Sequence, residues 1–137
     1  MKKIKNLFLL AVITALALSG CKKYEDGPSF TLNSAKARMV NDWKLDKVYS
    51  LDGTIDETSF YSVYLNWELN FSKDYSMTEN LLGFTTTGTW SFSDDRDTLK
   101  VLYSDNTSLN TYILKLESND LWVKYSQLDV QLHFVSK

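Results

Sequence analysis

Residues able to do covalent or metal chemistry are few in this chain. One cysteine, Cys21, and one histidine, His133, stand among 137 residues. A nucleophilic triad needs a base and an orienting group beside its nucleophile, and a zinc centre needs three or four nitrogen or sulfur ligands. Neither set can be assembled here. His133 falls on the opposite face from Val130, Leu132 and Phe134 and is expected to point outward. The run Asp94-Asp95-Arg96-Asp97 offers oxygens to Ca²⁺ but lacks the alternating spacing and the glycine of a calcium loop, so it reads as a hairpin turn between Phe92 and Leu99. Glu68, Glu79 and Glu117 stand singly at strand or turn positions read as exposed, so no paired carboxylates of a glycosidase can be argued. No catalytic residue, metal site or cofactor is assigned, and the chain is expected not to be an enzyme.

Cys21 has a chemistry of its own. A basic start, Met1-Lys2-Lys3-Ile4-Lys5-Asn6, is followed by the apolar run Leu7–Leu18, interrupted only by Thr14, and then by Leu18-Ser19-Gly20-Cys21. That order is the pattern of a bacterial lipoprotein signal ending in a lipobox. The apolar run is shorter than the roughly 20 residues a membrane span requires. Residues 1–20 are therefore expected to be removed and Cys21 to carry the lipid that anchors the protein. Several acyl chains make a stable anchor, whereas one is marginal. Lys22 in the next position favours the outer membrane in the sorting rule best known from enteric bacteria; the leaflet stays open.

The 15 Lys and Arg residues include three that leave with the signal, and no acid leaves with them. The mature chain then holds 12 basic and 17 acidic residues, a formal charge of −5. A surface of that sign does not suit nucleic acid and does not adhere to anionic lipid. The membrane contact is expected to be the lipid alone.

Aromatic side chains supply the remaining candidates: four Trp, eight Tyr and seven Phe. Trp43, Trp67 and Trp90 fall on different predicted strands, and with Tyr61 and Phe71 they form a candidate ligand-binding set. The same rings would equally fill a small core. Trp122 alternates with Leu121 and Val123, which places it outward or at a strand start. Outward Tyr64 and Trp122 are an alternative surface for a partner.

The elements that position these residues are read from period-two patterning. The strongest case is Tyr61–Ser72, where Tyr61, Val63, Leu65, Trp67, Leu69 and Phe71 share one face. Further strands are predicted at Trp43–Tyr49, Ser76–Leu82, Thr85–Phe92, Thr98–Tyr103, Thr111–Leu116, Leu121–Gln127 and Asp129–Val135. Asp- and Asn-rich turns separate them, because those side chains bond their own backbone and tolerate the left-handed region. Asn33–Val40 reads as a short helix capped by Asn33 or Ser34. Residues 21–32 read as a lipidated, flexible tether and 33–137 as one domain. The connections leave no room for crossover helices, so the fold is predicted to be all-β: a small antiparallel up-and-down barrel of about eight strands. The linker Leu51–Phe60 is a possible lid, and Ser76–Leu82 is the weakest strand.

Several stretches resemble the lipocalin-like lipoproteins of Bacteroidetes. They are Cys21-Lys22-Lys23-Tyr24-Glu25-Asp26-Gly27-Pro28, Ala35-Lys36-Ala37-Arg38, Trp43-Lys44-Leu45-Asp46-Lys47-Val48, Leu69-Asn70-Phe71-Ser72-Lys73-Asp74-Tyr75-Ser76, Gly88-Thr89-Trp90-Ser91-Phe92 and Tyr112-Ile113-Leu114-Lys115-Leu116. The resemblance covers most of the mature chain and implies a lipocalin-like barrel. It departs from the Gly-x-Trp signature of lipocalins proper: Asn41-Asp42-Trp43 has Asn for Gly, and no late basic partner for the Trp is evident. The same resemblance makes Asp97-Thr98-Leu99 similar to an O-glycosylation acceptor and Glu25-Asp26 similar to part of a surface-export signal. Two functions are carried forward. One is an envelope lipoprotein whose barrel holds a small apolar or amphipathic ligand, which a barrel packed solid, with no cavity large enough for a ligand, would overturn. The other is a scaffold that presents its surface to another envelope protein.

Overall fold

The structure, a computed structural model, describes residues 24–26 and 33–137. The predicted export signal and Cys21 lie outside the described residues. A short helix, α1 (Ala35–Met39), opens the domain. Ser34 caps it, its Oγ accepting from the Ala37 N–H at 3.1 Å. Eight strands follow: β1 (Asp42–Ser50), β2 (Glu68–Phe71), β3 (Ser76–Leu81), β4 (Phe84–Phe92), β5 (Thr98–Tyr103), β6 (Ser108–Leu116), β7 (Asp120–Tyr125) and β8 (Val130–Ser136). Each pairs antiparallel with the next, and β8 returns to β1 to close the barrel. The predicted all-β, up-and-down, eight-stranded architecture is the one observed.

Turn chemistry drives the hairpins. Asp52, Asp74 and Asp105 each accept, through Oδ1, both the N–H and the hydroxyl of the residue two further on, namely Thr54, Ser76 and Thr107. The residue between the two folds back through the left-handed region in each case: Gly53 at φ 76°, Tyr75 at 67° and Asn106 at 68°. These bonds hold the three carboxyls below their ordinary range, Asp52 at about 2. The stabilisation they give is present above pH 4 and is lost as the pH falls through the lowered values.

One strand is shorter than its pattern predicts. Tyr61–Ser72 was expected to run as a single strand, but only Glu68–Phe71 does; Ser62–Asn66 is a 3₁₀ segment. The cause is competition for β1. Glu57 N–H bonds Val48 O at 2.9 Å, Val48 N–H bonds Thr58 Oγ1 at 3.0 Å and Ser50 N–H bonds Ile55 O at 2.8 Å. The linker thereby takes the groups of β1 that a longer β2 would need. The chain from Tyr61 then satisfies itself locally, Tyr64 N–H to Tyr61 O and Trp67 N–H to Tyr64 O. The change of period also reverses two side chains. Val63, expected inside, is exposed, and Tyr64, expected outside as a partner surface, packs on the core.

The strand directions give the barrel two unlike ends. Helix α1 and the β2–β3, β4–β5 and β6–β7 turns lie at one end. There Trp43 is fully buried and its Nε1 donates to Met39 O at 3.0 Å. The buried cation of this end comes from ahead of β1: Arg38 donates to Leu116 O and stands over the Tyr24 ring. Tyr24–Asp26, read as tether, lies against the barrel. Tyr24 is buried, Asp26 N–H bonds Leu114 O at 2.8 Å and Glu25 pairs with Lys124 at 3.6 Å. The linker, the 3₁₀ segment and the remaining three turns form the other end, the mouth.

Candidate functional site

Of the aromatic set, the structure brings two residues to one cavity. Trp67 and Phe71 line it, together with Leu69, Met77, Glu79, Tyr103, Thr111 and Tyr125 among others. Trp43 and Trp90 are buried but stay outside that lining, in the plug of the closed end. Trp90 donates to Ser72 O at 3.1 Å and meets Phe71 edge-to-face, with centroids 5.7 Å apart. Tyr61 sits half-buried on the segment that covers the mouth. All three inward tryptophans therefore serve the core, and one also faces free space.

The cavity is small, about 30 Å³. That is room for a water or two and far below the roughly 150 Å³ that takes benzene. The interior as it stands therefore has no cavity large enough for a small organic ligand, and a guest held there needs the barrel mouth to rearrange. Its lining is nonetheless unusual for a filled core. Glu79 is only 8% exposed, although its sequence position had read as exposed. Its parity explains this: with Met77 and Leu81 it points inward from β3. Tyr103 from β5 lines the same wall as the Glu79 carboxyl. Burial first, and the negative charge of Glu79 next, push the phenol pKa of Tyr103 and that of Tyr125 upward. Among the described residues no ion pair includes Glu79. The buried indole Nε1 of Trp67 has no protein partner either. Burying a charge without a counter-charge, or a donor without an acceptor, costs stability that a simple structural core avoids.

A short cover lies over this interior. The 3₁₀ segment packs on β1 and β3, yet none of its own residues is fully buried. Tyr61, Tyr64 and Leu65 rest on the core while Phe60 stands 82% exposed beside them. Across the same end, Phe84 at the start of β4 is 78% exposed, with Leu82 in the adjoining turn. Segments held by few buried contacts open at a fraction of the global unfolding cost.

Residues outside the cavity have structural work. His133 points outward as expected, stacked on Trp122 with centroids 4.1 Å apart and planes 5° off parallel; Tyr49 lies on its other side at 4.6 Å. Lys115 covers the Trp122 ring. Desolvation, and then the charges of Lys115 and Lys47, lower the His133 pKa to about 4, against opposing pulls from Asp120 and Asp46. An unfolded chain takes this proton near pH 6.5, so it binds more protons than the folded one between the two values. Stability is therefore full above pH 7 and falls as the pH drops from 6.5 to 4. His133 is only partly buried, so the expected loss is about 1–2 kcal/mol. NMR titration of the single imidazole should show a midpoint near 4, and urea midpoints at pH 7.5 and 5 should differ accordingly. An ordinary midpoint near 6.5 would dismiss the stack as a source of stability. Ser93 Oγ donates to Asp95 Oδ1 at 2.6 Å and accepts the Thr98 N–H at 3.1 Å in the β4–β5 turn, which shapes that acidic run as a hairpin. Among the described residues no three His, Cys, Asp or Glu side chains group as a metal site would.

No protein-family model matches the chain, and no curated protein sequence is significantly similar to it. Solved structures do share its fold. A DUF4847 family protein from Bacteroides vulgatus superposes with a TM-score of 0.55 at 13% identity, over 77% of this chain and 98% of its own. A lipocalin-like protein from Bacteroides uniformis gives 0.53 at 17% identity, over 73% and 99%. At such identities the likeness is one of fold. The chain is an eight-stranded barrel of lipocalin-like architecture.

Proposed function

We propose that this protein is an envelope lipoprotein, anchored through Cys21 at the outer membrane, whose barrel mouth binds a small amphipathic molecule. The observation that carries the reading is the cavity lining. An apolar wall includes one buried carboxyl, Glu79, that no ion pair among the described residues includes, and the Trp67 ring, whose buried N–H has no protein partner. Binding sites of this kind combine an apolar surface with a few placed polar groups. The closed cavity is too small for such a ligand, so entry requires the 3₁₀ segment to lift and Tyr61 and Tyr64 to move aside. Phe60, Val63, Leu82 and Phe84, exposed around the mouth, supply apolar surface for the guest.

A second reading takes the same exposed rings as a docking surface for another envelope protein, the barrel being a scaffold. Exposed apolar groups gathered at one end of a small protein support it. Native mass spectrometry of the full lipoprotein, purified from its own host's envelope, separates the two. The ligand reading expects an added mass that organic extraction removes, on a chain whose N-terminal peptide begins at an acylated Cys21. An unliganded mass together with a co-purifying protein lost on Phe60→Ser and Phe84→Ser would replace it with the scaffold reading. An unmodified N-terminus would end the anchoring proposal.

A further inference from the structure

We propose that the cavity selects a ligand bearing a protonated amine on an apolar stem, with Glu79 as the counter-charge. This rests on the ligand-binding reading above and names the chemistry of the guest.

Three observations converge. First, among the described residues Glu79 is the only acidic one lining the cavity, and no lysine, arginine or histidine lines it. A ligand carboxylate or phosphate would meet a like charge there with nothing to offset it, whereas an ammonium group would complete a pair shielded from water. Charge-assisted hydrogen bonds in such surroundings are stronger than neutral ones. Second, no cation stands beside that carboxyl: among the described residues no ion pair includes Glu79, and Tyr125 donates its hydroxyl to Gln127 Oε1 at 2.7 Å, while a carboxyl group has several acceptor positions. Third, the surrounding wall is apolar. Leu69, Met77, Leu109 and Val123 flank the polar spot, which suits a hydrocarbon stem behind the amine. Trp67 Nε1, on the same wall, would meet an oxygen carried along that stem.

The sequence charge agrees in sign. A mature chain at −5 attracts cationic guests and repels anionic ones over the first nanometre. The inference therefore departs from a fatty-acid guest, which would bring its own negative charge to a negative site.

Calorimetric titration of the full lipoprotein in phosphatidylcholine nanodiscs tests this, with empty nanodiscs as the reference. The probes are hexylammonium, hexanol and hexanoate, which share one stem and differ in head-group charge. The expected result is that hexylammonium binds at least about tenfold tighter than hexanol, with hexanoate weakest. Glu79→Gln, close in shape, should bring the amine and the alcohol to equal affinity. The wild-type ranking alone decides if that variant folds poorly. Equal binding of amine and alcohol by the wild type, or preference for hexanoate, would overturn the inference while leaving ligand binding intact. Binding of none of the three would overturn both.

Discussion

Trp43→Ala is expected to cost about 3–5 kcal/mol of folding stability, the range for removing a large aromatic from a packed core. Trp43 is fully buried, and its Nε1 is bonded to Met39 O at the end of α1. The substitution therefore empties the closed end and also releases the helix that covers it. Domains of this size are stable by about 5–15 kcal/mol in all, so the loss is a large share of the whole. Trp43→Phe should cost less, because the ring volume stays and one hydrogen bond goes. Urea unfolding followed by circular dichroism would give both values. A change below 1 kcal/mol for the alanine variant would mean that the plug is not what closes this end.

Gly88→Ala should cost about 3 kcal/mol, at the upper end for a crowded insertion. A Cβ on Gly88 would stand 2.4 Å from Leu102 O and 3.0 Å from Tyr103 Cα. Both are backbone atoms of β5, which cannot swing aside as a flexible side chain does. Glycine inside a strand marks a close approach of another backbone, and here it brings β5 onto β4 where Tyr103 reaches inward to Glu79. Amide exchange should show lost protection in the β4–β5 ladder before the β7–β8 ladder is affected. Uniform protection with an unchanged unfolding midpoint would show that the barrel wall yields at this point.

Most strands were legible from their alternation and their turns, β4 included, although Trp90 is its one buried residue. From β3 to β8 the alternation of apolar side chains gave the elements, and the Asp-rich turns gave their ends. Tyr61–Ser72 failed because alternation reports what a segment's residues prefer and not which ladder is free. The linker's bonds to Val48 and Ser50 lie ten residues or fewer away, yet nothing in the pattern of 61–67 discloses them. Glu79 was misplaced for a different reason. Taken singly, a glutamate reads as exposed, and the parity it shares with Met77 and Leu81 carried the correct answer. Trp67 was placed by the alternation of its own stretch, whereas for Trp43 and Trp90 the core-filling role was one of two alternatives, and both are buried. The division of the interior into a plugged end and a hollow one was not legible, because it depends on which strand ends the helix and linker cover.

The docking of Tyr24 beside the plugged end decides which way the mouth looks. Under the proposed anchoring, the acylated residue lies three positions before Tyr24, a contour of at most about 11 Å. Tyr24 is itself held by burial, and its neighbours by the Asp26–Leu114 and Glu25–Lys124 contacts. The plugged end would then lie within that tether length of the bilayer, like the base of a cup on a saucer, with the mouth at the far end of the barrel. A guest would leave upward into the aqueous space, or into a protein waiting there, and would not slip sideways into the lipid beneath.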